Sequence, residues 1–161
     1  MKTLTIRHLT LGSGQPKIAV PLVARDEAAL SVALKNLEHA CFDIIEFRAD
    51  YFDQAGNPEY LLTQAAAVRR AFPETPLLFT FRRAEEGGEY PCSKAYYFEL
   101  LDKAAASGII DIIDIELSAG ESEVRQAVAA AKAHKTAVLM SNHDFHQTPT
   151  KSDITGRLKK M

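Results

Sequence analysis

Acidic and basic side chains recur at the ends of three β-type runs in this sequence. Glu46 and Arg48 close one run, Arg82 and Glu86 follow the next along the chain, and His143 follows the last. Imidazole is the most common general acid–base group, because its ordinary pKa lies near neutral pH. We therefore predict that His143 moves a proton on a substrate. The structural alternative is that it caps a loop or bonds a backbone carbonyl.

The other members of this group suggest supporting roles. A carboxylate at Glu86 could orient the imidazole of His143, as a buried acid does for other catalytic histidines, or it could belong to a solvated acidic loop. The guanidinium groups of Arg48 and Arg82 could bind a substrate carboxylate with two parallel hydrogen bonds each. Glu46 lies in an apolar run and would be costly to bury unpaired, so an Arg–Glu pair between adjacent strands is the structural alternative.

The elements that must position these residues follow a repeat of strand and helix. The predicted strands cover residues 17–22, 42–48, 77–82, 112–116 and 137–141, and helical patterns follow at 26–40, 58–71, from 93, at 121–134 and from 152. Apolar strands joined by helices are typical of a parallel sheet that is covered on both faces. Residues 3–11 lie outside this repeat and could form an extra strand or hairpin.

Two architectures accommodate five such units. One is a doubly wound, flavodoxin-like sheet, and the other is an incomplete (β/α)8 TIM barrel. The loop after the first strand, residues 23–26, has none of the glycines that a phosphate-binding turn would use. A barrel also gathers all carboxyl ends of its strands on one rim. We therefore predict an α/β fold in which residues 1–161 form a single domain, a partial barrel of about five βα units.

Composition excludes several classes of protein. The net charge of −2 argues against a nucleic-acid-binding face, and no apolar run is long enough to span a membrane. The two cysteines, Cys41 and Cys92, form neither a disulfide framework nor a metal-type pair, so we expect reduced thiols and a cytoplasmic protein. His143 and His146 alone are weak evidence for a metal, so no metal or other cofactor is predicted.

Four segments together resemble a known family. They are Glu46–Phe47–Arg48–Ala49–Asp50, the segment from Phe79 to Arg82 with Glu86–Gly87–Gly88, Ile113–Asp114–Ile115–Glu116–Leu117, and Ser141–Asn142–His143–Asp144–Phe145. In this order, they are similar to the signatures of type I 3-dehydroquinate dehydratases. The resemblance extends over nearly the whole chain, although each segment alone would be a weak signal.

The resemblance implies a (β/α)8 lyase that dehydrates 3-dehydroquinate to 3-dehydroshikimate without metal or nucleotide. In that family a lysine forms an imine with the substrate ketone, which makes the neighbouring C–H acidic enough for an imidazole to remove its proton. His143 would be this acid–base group and Glu86 its orienting partner. Glu46, Arg48 and Arg82 would line the substrate pocket.

One departure from the family affects the expected activity. The family's imine-forming lysine lies on a sixth strand, and this sequence ends before one, so we expect the chain as written to be inactive. Its open sheet edges favour a homo-oligomer, in the simplest case a dimer. Two alternatives remain open: a non-catalytic binder of a shikimate-pathway acid, and a purely structural folding fragment.

Overall fold

A computed structural model describes residues 3–161 as a parallel sheet with helices between its strands. The strands are β1 (Leu4–Ile6), β2 (Leu9–Leu11), β3 (Ala19–Leu22), β4 (Ile44–Arg48), β5 (Leu77–Thr80), β6 (Ile112–Glu116) and β7 (Ala137–Ser141). The α-helices are α1 (Glu27–Leu37), α2 (Pro58–Ala71), α3 (Lys94–Ala106), α4 (Glu121–Ala133) and α5 (Lys151–Lys160). Short 3-10 turns cover Ala49–Tyr51, Ala84–Glu86 and Leu117–Ala119, directly or closely after β4, β5 and β6.

The order of the strands decides between the two predicted architectures. The main sheet runs β3-β4-β5-β6-β7, and every neighbouring pair is parallel. A doubly wound sheet would change direction at a switch point, whereas a barrel adds each strand beside the previous one. The partial (β/α)8 fold predicted from the sequence is therefore confirmed, and the flavodoxin-like alternative is excluded.

One face of the sheet packs against the helices and forms the main core. Alternate strand residues point to this face, because side chains in a strand alternate between its two sides. Phe47 and Phe79 are fully buried there, with their ring centroids 5.8 Å apart, and Tyr97 of α3 is buried with them. This core fixes the sheet and leaves the intervening residues on the opposite face.

The opposite face is apolar at the amino ends of the strands and polar at their carboxyl ends. Ile44, Leu78 and Ile112 form a small cluster at the amino ends, together with Ile6 and Leu9. The last two belong to the β1–β2 pair, which is antiparallel, so the predicted element outside the repeat is a hairpin. The hairpin thus covers the end of the sheet that lies away from Glu86 and His143.

Ion pairs attach this hairpin to the sheet. The Nε of Arg7 donates to both carboxylate oxygens of Asp111, at 2.8 and 3.0 Å. Arg69 of α2 also pairs with Asp111 and donates to the carbonyls of Phe72 and Thr75. One carboxylate therefore connects the hairpin, α2 and the start of β6.

Polar side chains cap the starts of two helices. Asn57 and Ser93 accept hydrogen bonds from the third backbone N–H after them, and Pro58 occupies the first turn of α2. The prediction for the strand at 77–82 was too long, because β5 ends at Thr80. The chain then enters a 3-10 turn that is closed by Gly87 in the left-handed region, at φ 83°.

Within residues 3–161, the outer strands β3 and β7 each have a neighbouring strand on one side only. Ile18, next to β3, is 57% exposed and Leu139 of β7 is 46% exposed, which is unusual for apolar residues of a parallel sheet. None of the helices in residues 3–161 has the length and apolar character needed to cross a membrane.

Candidate active site

The carboxyl ends of the strands bring the predicted site residues to one edge of the sheet. After β5, the 3-10 turn Ala84–Glu86 carries Glu86, and after β7 the chain continues directly into Asn142 and His143. Because the strands are parallel, these segments meet even though 57 positions separate Glu86 from His143. The structure thus joins the two residues that the sequence suggested as an acid–base pair.

Glu86 and His143 are held together by two contacts to one carboxylate oxygen. Oε2 of Glu86 lies 2.9 Å from Nδ1 of His143 and accepts the backbone N–H of His143 at 2.9 Å. The Glu86 side chain is 3% exposed, whereas that of His143 is 35% exposed. Because the carboxylate engages Nδ1, the more exposed imidazole presents Nε2 to an incoming molecule.

The other oxygen of Glu86 accepts two further hydrogen bonds. The hydroxyl of Ser118 and the side-chain amide of Asn142 both donate to Oε1, the amide at 3.2 Å. Burial raises the pKa of Glu86, but the hydrogen bonds from Ser118, His143 and Asn142 more than offset it and lower that pKa below its ordinary value. Glu86 is therefore a stable carboxylate that can support a positive charge on His143.

Arg82 lies at the same edge in a buried ion-pair network. Its guanidinium pairs with Asp114 and, at 3.0 Å, with Glu116, and it donates to the hydroxyl of Ser141 at 2.9 Å. Burial lowers the pKa of Arg82, but the two carboxylates outweigh this and raise it. Asp114 and Glu116 thus share one side of β6, because side chains two positions apart in a strand point to the same face.

The ion pair suggested between Glu46 and an arginine of an adjacent strand does not form. Within residues 3–161, no side chain lies at ion-pair distance from the carboxylate of Glu46, which is half-buried. Arg82 reaches the two acidic residues of β6 instead, because it lies beyond the end of β5 and β6 carries two carboxylates at that level. That structural alternative was therefore wrong.

Arg48 is paired with a residue that the sequence analysis did not single out. Its guanidinium donates to both oxygens of Asp50, each at 2.9 Å, and lies 4.6 Å from the ring centroid of Tyr51. Asp50 is fully buried and also accepts the backbone N–H of Glu89. Arg48 is thus held rigidly at the edge, with 18% of its side chain exposed.

Arg83 and Phe145 complete the edge, and neither was assigned a role from sequence. Arg83 is buried and donates to Glu116 through Nε at 2.7 Å and through its backbone N–H at 3.0 Å. The ring of Phe145 stacks on the imidazole of His143, with 6.1 Å between centroids, and it is 72% exposed. This ring lies beside Gly87, where an added Cβ would be 2.5 Å from it.

No cluster of three or more histidine, cysteine or acidic side chains with metal-binding geometry occurs in residues 3–161. Cys41 and Cys92 are both free.

Comparison with known proteins identifies the family that shares this sequence and fold. The sequence profile described as type I 3-dehydroquinase matches residues 18–161. The chain belongs to the type I 3-dehydroquinase family. It is 54% identical over 159 residues to a 3-dehydroquinate dehydratase of Neisseria gonorrhoeae, a match that covers 99% of this chain and 63% of that protein. A 3-dehydroquinate dehydratase of Escherichia coli is 46% identical over 161 residues, which are 64% of its length.

Solved structures show the same relationship. The type I 3-dehydroquinate dehydratase of Clostridium difficile, solved with covalently modified comenic acid, superposes with a TM-score of 0.94 at 36% identity, covering 98% of this chain and 62% of that one. The 3-dehydroquinate dehydratase of Geobacillus kaustophilus gives 0.93 at 28% identity, covering 99% and 62%. The chain thus spans slightly less than two thirds of the length of these family members.

Proposed function

We propose that this chain supplies the acid–base half of a 3-dehydroquinate dehydratase, which converts 3-dehydroquinate to 3-dehydroshikimate through an imine. The observation that carries the proposal is the contact between buried Glu86 and half-exposed His143 at the carboxyl edge of the sheet. The family membership and the names of the relatives supply the substrate.

In this proposal His143 moves the protons of the reaction. Its Nε2 removes a proton from the carbon beside the iminium, since an iminium withdraws electrons more strongly than a ketone. The imidazolium that forms is stabilised by the Glu86 carboxylate on Nδ1 and then donates its proton to the departing hydroxyl, which leaves as water. One residue thus serves as base and then as acid.

Glu46, Arg48 and Arg82 are proposed to contact the hydroxyls and carboxylate of the substrate. Arg48 and Arg82 both keep their charge, because ion pairs raise the pKa of each guanidinium despite burial. Their protein carboxylate partners also hold them in fixed positions, which lowers the entropic cost of binding a substrate. Glu46 has a carboxylate without an ion-pair partner in residues 3–161, and this leaves it free to accept a substrate hydroxyl.

The imine itself is proposed to require a lysine from outside these 161 residues. The protein side chains recorded at hydrogen-bonding distance from the Glu86–His143 pair, within residues 3–161, are Ser118 and Asn142. Lys159 and Lys160 lie in the last turn of α5 and are exposed. We therefore propose that the chain alone does not turn over, and that activity needs the remaining third of a family-length protein.

A chimera tests this proposal. The chain is fused to the part of the Neisseria gonorrhoeae relative that its match leaves uncovered, and formation of the enone product is followed by absorbance with and without borohydride. Turnover by the chimera, its loss with borohydride and a strong decrease in His143→Ala are expected. A His143→Ala chimera as active as the parent would exclude the assigned role. Binding of 3-dehydroquinate without turnover would indicate a non-catalytic binder instead.

We also propose that the chain alone forms a homodimer in which the open edges at β3 and β7 are covered. Both edges expose backbone groups and apolar side chains, of which Ile18 and Leu139 are the most exposed on them. Analytical ultracentrifugation of the chain should give twice the monomer mass, and a monomer at all concentrations would contradict this. In the chimera, the added strands cover the same edges.

A further inference from the structure

Ser118 contacts the proposed catalytic pair through the carboxylate of Glu86. It lies in the 3-10 turn Leu117–Ala119 after β6, and Glu86 lies in the corresponding turn after β5. The hydroxyl of Ser118 donates to Oε1 of Glu86, while His143 occupies Oε2. Each oxygen of this carboxylate thus has a hydrogen-bond partner of its own.

The direction of this hydrogen bond is fixed by Arg83. A terminal nitrogen of its guanidinium donates to the hydroxyl oxygen of Ser118 at 2.9 Å. An ionised carboxylate can only accept, so the single proton of the hydroxyl is directed to Glu86. Arg83 is itself held by Glu116 and lies 5.6 Å from the ring centroid of the fully buried Tyr97.

The charges around this group explain why a neutral donor is suitable there. Arg82 and Arg83 are balanced by the buried carboxylates of Asp114 and Glu116, so neither guanidinium pairs with Glu86 in the described residues. The side chains that donate to Oε1, Ser118 and Asn142, are neutral, so the charge of Glu86 stays available for an imidazolium. A cation in place of Ser118 would compete for that charge.

We propose that Ser118 is a positioning residue, which holds the Glu86 carboxylate in the orientation that receives Nδ1 of His143. The assignment of a catalytic benefit rests on the proposed function, whereas the effect on Glu86 itself does not. Asn142 is a weaker substitute, because its side-chain nitrogen donates to the same oxygen only at 3.2 Å.

Nuclear magnetic resonance of the 161-residue chain tests the proposal without any turnover. The carboxyl carbon of Glu86 is titrated in Ser118→Ala, and the downfield Nδ1–H signal of His143 is recorded. Ser118→Ala should raise the pKa of Glu86, because the lowering by the hydroxyl is lost, and should weaken the Nδ1–H signal. Ser118→Thr, which keeps the hydroxyl, should restore both readouts.

Ser122→Ala is the matched control, since Ser122 is exposed and its hydroxyl bonds Glu123 outside the site. It should leave both readouts at their parental values. A Ser118→Ala chain with an unchanged Glu86 titration and Nδ1–H signal would overturn the proposal, as would equal shifts in Ser122→Ala. An inactive chimera with the expected shifts would refute the proposed reaction while leaving the positioning role intact.

Discussion

Replacement of Arg82 by methionine tests the buried ion-pair network at the edge of the sheet. The Arg82 side chain is 9% exposed, and its partners Asp114 and Glu116 are 1% and 0% exposed. In Arg82→Met, Glu116 keeps its contacts with Arg83, but the carboxylate of Asp114 keeps, within residues 3–161, only the hydrogen bond from the hydroxyl of Ser141. The variant therefore leaves one carboxylate buried without a cation.

The expected loss of stability is large because the remaining charge cannot reach water. Removing one partner of a buried ion pair typically costs about 3–5 kcal/mol. At about 2–4 °C per kcal/mol for a chain of this size, the melting temperature should fall by roughly 6–20 °C. Asp114→Asn in the Arg82→Met background should recover part of this loss, because the orphaned charge is then absent.

Urea and thermal unfolding of the 161-residue chain, both followed by circular dichroism, measure the free energy of unfolding and the melting temperature. Arg125→Met is the control, since this arginine is 78% exposed, pairs with Glu121 on the same helix and should change stability little. Equal losses in the two arginine variants would refute the structural role of the network. Strict additivity of the Arg82 and Asp114 substitutions would do so as well.

Four further substitutions test other parts of the structure. Glu86→Gln should destabilise the chain at neutral pH, because the lowered pKa of Glu86 stabilises the folded state. This contribution is complete above the unfolded pKa, about 4.3, and is lost as pH falls through the lower folded pKa. The free energies of unfolding of parent and variant in urea should therefore converge in acid, and a constant difference between them would contradict this. Gly88→Ala should lower the melting temperature, because its Cβ would lie 1.8 Å from a backbone oxygen. Gly156→Ala, at a helix position with open space around it, should raise the free energy of unfolding by about 1 kcal/mol. A more stable Gly88→Ala than Gly156→Ala would contradict both expectations. Arg7→Ala should speed amide hydrogen exchange in the β1–β2 hairpin, because the ion pair with Asp111 that attaches it to the sheet is lost. Unchanged exchange would show that this ion pair does not hold the hairpin.

Much of the fold could be predicted from local patterns. The bounds of α2 are those expected, because Asn57 caps its start and Pro58 suits its first turn. The strand at 112–116 was also correct, since alternating isoleucines fix both its type and its faces. The end of β5 was misplaced because the run up to Arg82 continues a β-type pattern, while the glycines that force the turn come later, at 87 and 88.

The site was predictable where backbone topology brings residues together. Glu86 and His143 meet because parallel strands place their carboxyl ends on one edge. The partners of Arg82 were not predictable, since a long side chain can reach several acidic residues and only packing selects among them. Ser118 gave a weak signal that could have been used: it follows the last residue of its strand by two positions, as Asp50 does after Arg48.

The most direct test of the central proposal is dehydration of 3-dehydroquinate by the chimera, with the 161-residue chain measured in parallel. We expect enone formation by the chimera, its inactivation by borohydride in the presence of substrate, and neither effect with the chain alone. Turnover and borohydride trapping by the chain alone would contradict the requirement for an added lysine. Absence of turnover in a folded chimera would contradict the proposed reaction itself.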